Sequence, residues 1–137
     1  MIDQDSPSAK LCIKGIQAEF EHKLDDARNL YREAWSVAAD DYDFCIAAHY
    51  IAHLEENPES ALEWNLKALV HAKLVNDNRV EVFYASLFVN IGRSFELLGD
   101  LEQAQHYYEH ANEHGLEHEP NYMSAINKHL QTNVNGS

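Results

Sequence analysis

Apolar side chains recur along this chain at spacings of three and four residues, with acidic, basic and amide residues between them. That period belongs to amphipathic helices, and no stretch alternates as a half-buried strand does. Six helices are predicted, at about 7–21, 24–39, 42–55, 58–75, 80–98 and 101–114. The punctuation agrees with these limits. Ser6-Pro7 and Asn57-Pro58 put proline in a first helical turn, Asp25, Asp26 and Glu59 favour helix N-termini, and Asn76-Asp77-Asn78 and Gly99-Asp100 supply turn and capping residues. Residues 120–130, with Tyr122, Ile126 and Leu130 on one face, are predicted as a seventh, capping helix. The expected organisation is a disordered N-terminus at 1–7, one domain at 8–130 and a flexible tail at 131–137.

Shifting the sequence against itself by 34 residues brings Gly15 onto His49, Ala27 onto Ala61 and Ala34 onto Ala68. The next shift is longer, since Ala61 to Ala104 and Ala68 to Ala111 are 43 residues apart. The chain therefore repeats a 34-residue helix-turn-helix unit three times, with nine residues inserted once. The insertion is expected to lengthen the fourth and fifth helices rather than build a loop. Ala27, Ala61 and Ala104 are expected at helix crossings, where a small side chain lets backbones approach to about 8–10 Å. Tyr31 and Tyr108, one turn further along the same faces, are expected to point inward.

The third unit, residues 88–111, carries Phe88, Ile91, Gly92 and Phe95 in its first helix, Gly99-Asp100 in its turn, and Ala104, Tyr108 and Ala111 in its second. This pattern resembles the tetratricopeptide repeat family. The first unit shares Gly15, Ala27, Tyr31 and Ala34 but has Ala18 where an aromatic is usual; the second shares Ala48, Ala61 and Ala68 but has His49 where Gly or Ala is usual. The resemblance spans about residues 8–115. It implies an all-α fold, a right-handed superhelix of antiparallel helix pairs, here three repeats plus a C-terminal capping helix. It also implies a concave groove for a peptide, lined by Ile16, Glu19, Phe20, Ile46, Tyr50, His53, Leu54, Val89, Arg93, Glu96 and Leu97. The subtype that grips acidic C-terminal tails with a basic, asparagine-lined clamp is a poor match, because Cys12, Ile16 and Ile46 stand at the clamp's key places.

Charge narrows the choice of partner. The sequence has 23 acidic and 10 basic residues, a formal net charge of −13, which repels nucleic-acid phosphates and anionic lipid surfaces. No nucleic acid and no membrane is expected as a partner, and a basic protein segment is favoured, although many of these acids simply solvate outer helix faces. Cys12 and Cys45 sit among apolar neighbours as small hydrophobes, with no disulfide expected. Two reduced thiols, no signal-peptide pattern and no long apolar run suit a cytoplasmic protein.

Candidate chemistry is sparse. His106, His110, His114 and His118 recur every fourth residue, a spacing that lets neighbouring imidazoles reach one transition-metal ion. Their face is expected to be polar and exposed, opposite Ala104, Tyr108 and Ala111, so no metal and no cofactor is assigned. His49 is expected as a hydrogen-bonded interior histidine and His53 as a groove residue. No nucleophile–base pair, phosphate loop or metalloprotease motif is present, so no enzyme activity is expected. The leading expectation is a non-enzymatic adaptor or chaperone-like module. The alternatives are a self-associating scaffold, for instance a homodimer, and then a metal-binding role for the histidine ladder.

Overall fold

The structure is a computed structural model that describes residues 5–114. Over that span the chain forms α1 (Pro7–Phe20), α2 (Leu24–Ser36), α3 (Asp41–His53), α4 (Pro58–Ala72), a short 3-10 turn (Asn78–Val80), α5 (Glu81–Leu97) and α6 (Leu101–Glu113). No strand occurs among the described residues, and none of their helices is long and apolar enough to cross a membrane. The expected seventh helix at 120–130 and the tail at 131–137 lie outside the described residues.

Local chemistry sets each helix start. Ser6, Asp40, Asn57 and Asp100 cap α1, α3, α4 and α6, each accepting a hydrogen bond from a first-turn backbone N–H. Ser6 does more than cap. Its hydroxyl donates to Asp43 Oδ1 at 2.7 Å, and Asp43 Oδ2 accepts from the Ala39 N–H at 3.0 Å, which ties the start of α1 to the start of α3. Ser8 Oγ adds a bond to the Ala34 carbonyl at 2.8 Å. The folded structure therefore includes Ser6 and Pro7, in keeping with their reading as a helix entry and not with a disordered N-terminus that extends to residue 7.

The helices pair as α1 with α2, α3 with α4 and α5 with α6 across connections of three or four residues, so each pair is antiparallel. Successive pairs then stack, α2 on α3 and α4 on α5. The insertion is distributed otherwise than expected. Helix α4 has 15 residues against 13 in α2, and α5 has 17 against 13 in α3, but α4 stops at Ala72 instead of near residue 75. The rest of the insertion forms the connection 73–80, twice as long as its counterpart 37–40. There Asp77 caps the 3-10 turn by accepting from the Arg79 N–H, and Val80 is buried.

Alanine supplies the close crossings as predicted at Ala27 and Ala104, both buried, while Ala61 is only half-buried. Glycine does the same in the outer units. Gly15 lies directly under the Tyr31 ring, and Gly92, 77 residues later, lies under Tyr108, also 77 residues after Tyr31. A side chain at either glycine would collide with the ring above it.

The two ends of the stack are polar where its internal joints are apolar. In α3, Ala47, Ala48 and Ile51 are buried and Phe44 packs on Trp35 of α2; the same register in α1 holds Lys10, Ile13, Lys14 and Gln17, three of them exposed. In α4, Leu62, Leu66 and Leu69 join the cluster of Phe88, Val89 and Ile91; the same register in α6 holds Gln105, Glu109 and Asn112, all exposed. A repeat array needs polar outer faces on its terminal units.

The α1–α2 and α5–α6 turns share one hydrogen-bond pattern. Asp100 N–H bonds to the Phe95 carbonyl and Gly99 N–H to Glu96; Lys23 N–H bonds to Ala18 and His22 N–H to Glu19. The left-handed residue is Gly99 (φ 87°) in one and His22 (φ 60°) in the other. A side chain in that conformation costs about 1–2 kcal/mol. His22→Gly is therefore expected to raise stability by roughly 0.5–1 kcal/mol after glycine's extra unfolded-state entropy, seen as a higher urea midpoint; an unchanged or lower midpoint would argue that His22 makes compensating contacts.

Candidate functional site

On α1, Ile16, Glu19 and Phe20 share a face at helical spacing, and on α3 Tyr50 and His53 do the same. The two faces meet. Between them lies an open cleft of about 350 Å³ lined by these five side chains. All five belong to the predicted groove.

Glu19 is the polar centre of the cleft. Its Oε1 accepts a 2.6 Å hydrogen bond from the Tyr31 hydroxyl on α2, and its Oε2 lies 3.1 Å from His53 Nε2 on α3. One carboxylate thus joins three helices. Tyr31 is wholly buried and its ring stacks on Tyr50 at a centroid distance of 5.3 Å. Burial, then the bond to Glu19, pushes the Tyr31 hydroxyl well above its ordinary pKa, so it stays a proton donor; burial raises Tyr50 too. At the rim Phe20 is 82% exposed, an unusual state for a large aromatic.

The third unit repeats half of this arrangement. Tyr108 donates to Glu96 Oε1 at 2.8 Å, in the same register as Tyr31 to Glu19. Arg93 and Leu97 are exposed beside it, Leu97 at 67%. These α5 residues do not line the α1–α3 cleft. Ile46 and Val89 depart further from expectation. They are 1% and 2% exposed and belong to the core: each shares a helix face with the groove residue one turn later, but there the neighbouring helices close over it. Leu54 is half-buried against the same core.

The middle unit breaks the pattern. His49 stands where the outer units have glycine, and Asn65 where they have tyrosine. His49 Nδ1 and Asn65 Oδ1 are both buried without a hydrogen-bond partner, contrary to the expectation of a hydrogen-bonded interior histidine. Burial, and secondarily His53, pushes the His49 pKa down to about 4, so its ring is neutral near pH 7.

In the histidine ladder His106 and His114 are exposed, as expected, and His110 is half-buried, yet two of the rings also pack on aromatics. His110 and His114 lie over Phe88 at ring distances of 5.4 and 5.3 Å, and His114 stacks on Tyr84 at 5.2 Å. Tyr107, His110 and the C-cap His114 pack around Phe88 of α5, so part of the ladder is aromatic packing. Among the described residues, no group of three or more His, Cys, Asp and Glu side chains is arranged to hold a metal. His118 lies outside them.

Cys12 and Cys45 are free and wholly buried, and burial pushes both thiols up to about 12. They are core residues and poor nucleophiles. A second aromatic group, Trp35 against Phe44 and Trp64 with His71 stacked on Phe44 at 4.9 Å, was not anticipated. His71 Nδ1 also lies 2.8 Å from Asp41 Oδ1. The Glu19–Tyr31 bond did leave a sequence signal, a Gly-x-x-x-Glu followed twelve residues later by Tyr, present at Gly15, Glu19 and Tyr31 and again at Gly92, Glu96 and Tyr108. No protein-family model, curated protein or solved structure matches this chain.

Proposed function

We propose that the helix pairs wind as a right-handed superhelix of the tetratricopeptide type, and that the concave side binds a protein or peptide segment without catalysis. The carrying observation is the α1–α3 cleft, which joins an exposed Phe20 and a half-buried Ile16 and Tyr50 to a carboxylate fixed by two partners. Apolar anchors beside a few oriented polar groups suit the recognition of a short segment. The same groups are poorly placed for reaction: both Glu19 oxygens are engaged, the Tyr31 hydroxyl is held protonated, and the thiols are buried. The module is a cytoplasmic adaptor or chaperone-like protein in this reading.

Self-association is the alternative. The polar end faces of α1 and α6 disfavour end-to-end stacking of copies, so a homodimer would need another surface. A photo-crosslinking amino acid placed at Phe20, and separately at Glu63 on α4, separates the two readings in native lysate. The proposal expects a discrete adduct with a different protein from position 20 and none from position 63. An adduct only with the chain itself moves the homodimer forward, and equal labelling from both positions sinks the groove.

A further inference from the structure

Resting on the reading of the α1–α3 cleft as a peptide site, we propose that it takes an arginine or lysine flanked by an apolar residue, and that His53 occupies the cation's place on Glu19 until the ligand displaces it. Three observations converge. The cleft has no Lys or Arg in its lining, yet its carboxylate has only 21% of its side chain exposed. A carboxylate with so little exposure is held best by a cation or a strong donor, and the imidazole now at 3.1 Å is itself 55% exposed and belongs to the last turn of α3. The cleft also sits at the C-terminal turns of α1 and α3, where the helix dipoles present their negative ends. Helix α1 has no basic residue in its last turn, and α3 has only His53 there.

The walls fit the rest of such a ligand. The exposed Phe20 offers a ring face to a guanidinium or ammonium group, and Phe20, Ile16 and the half-buried Tyr50 offer apolar surface to the neighbouring side chain. Tyr31 keeps the carboxylate aimed into the cleft, because its hydroxyl occupies Oε1 and leaves Oε2 toward the opening. An acidic ligand would meet Glu19 in a site with no compensating Lys or Arg.

The test selects displayed random peptides on the full chain and then titrates synthetic copies of the enriched sequences. The proposal expects enrichment of sequences with Arg or Lys beside Leu, Ile, Phe or Met. Glu19→Gln should weaken their binding at least about tenfold, the loss of one charge-assisted bond. The amide oxygen of Gln still accepts from Tyr31, so the fold is kept, and an unchanged melting temperature verifies it. His53→Ala should tighten binding, roughly threefold to tenfold, by removing the internal competitor; a merely structural Glu19–His53 pair would give no gain. Peptides enriched without a basic preference, or indifferent to Glu19→Gln, would overturn the inference while leaving the groove in place. Failure to enrich any sequence above an Ile16→Glu variant of unchanged helicity would overturn the groove with it.

Discussion

Gly15→Val is expected to lower stability by roughly 3–5 kcal/mol, a large part of the ~5–15 kcal/mol that a domain of this size commands. A Cβ at position 15 would stand 2.3 Å from Cε1, 2.6 Å from Cδ1 and 2.9 Å from Cζ of Tyr31. The ring cannot yield cheaply. It is wholly buried, stacked on Tyr50 and bonded through its hydroxyl to Glu19, so a shift also gives up a hydrogen bond to a charged group, about 1.5–3 kcal/mol. Helix propensity works the other way, since leaving glycine in mid-helix gains up to about 1 kcal/mol, but that gain is smaller than the collision. Urea midpoints measure the outcome, with Gly99→Ala as the contrast: nothing lies within 4 Å of a Cβ there, and only the φ of 87° resists it, at about 1–2 kcal/mol. Adding Tyr31→Leu to the Gly15→Val chain should cost less than Tyr31→Leu does alone, because the collision has gone. A Gly15→Val protein as stable as the wild type would mean that α1 and α2 are not packed through this contact.

Much of this geometry was legible because it is written in small residues at fixed intervals. The alanine register gave three units, and the spacing of Gly15 and Tyr31 was repeated by Gly92 and Tyr108. What escaped was the set of choices that depend on which side of a helix a neighbour covers. Ile46 and Val89 share the groove's apolar composition, but the adjoining helices close over them. Their sequence offset from Tyr50 and Arg93 is one turn in each case, and periodicity alone cannot tell a floor from a wall. In the histidine ladder the exposure of His106 and His114 was legible and the aromatic packing was not. An imidazole reads as polar in a one-dimensional pattern, while its flat ring packs on Phe88 and Tyr84 as an aromatic. The ends of helices α2 and α4 came three residues earlier than the apolar pattern suggested, because Val37, Leu74 and Val75 continue the composition without continuing the helix.

The polar end faces bear on the candidate site as well as on assembly. With Lys10, Lys14 and Gln17 at one end and Gln105, Glu109 and Asn112 at the other, the described array presents polar side chains on both outer surfaces. Phe20 stands at the edge of the α1 end face, three residues after Gln17 and seven after Ile13, whereas Leu97 lies on α5, away from both ends. Under the proposed function, this exposed aromatic beside a fixed carboxylate is the anchor that a bound segment would cover.

Conversion of the middle unit to the outer pattern, His49→Gly with Asn65→Tyr, is expected to show strong coupling. Asn65→Tyr alone should overpack the space that His49 fills, at about 1–3 kcal/mol, and His49→Gly alone should leave a cavity and a mid-helix glycine, at about 2–3 kcal/mol. Together the ring of residue 65 can lie over the glycine as Tyr31 lies over Gly15, and the two unpaired buried atoms, Nδ1 and Oδ1, are both gone. The pair should recover about 2–3 kcal/mol relative to the sum of the singles, ending about 1–3 kcal/mol below the wild type near pH 7. Acid then separates the two proteins. In the wild type the folded-state pKa of His49 is about 4, below histidine's ordinary ~6.5, so between those values the unfolded chain binds a proton that the folded ring does not. Stability must fall as pH drops through that window, by about 3 kcal/mol from this group, and the contribution is lost fully only below pH ~4. The double variant lacks His49 and should lose correspondingly less between pH 6.5 and 4, a difference read directly from paired urea titrations. Identical pH slopes would mean that His49 is not buried as a neutral ring, and additive singles would mean that positions 49 and 65 do not share one space.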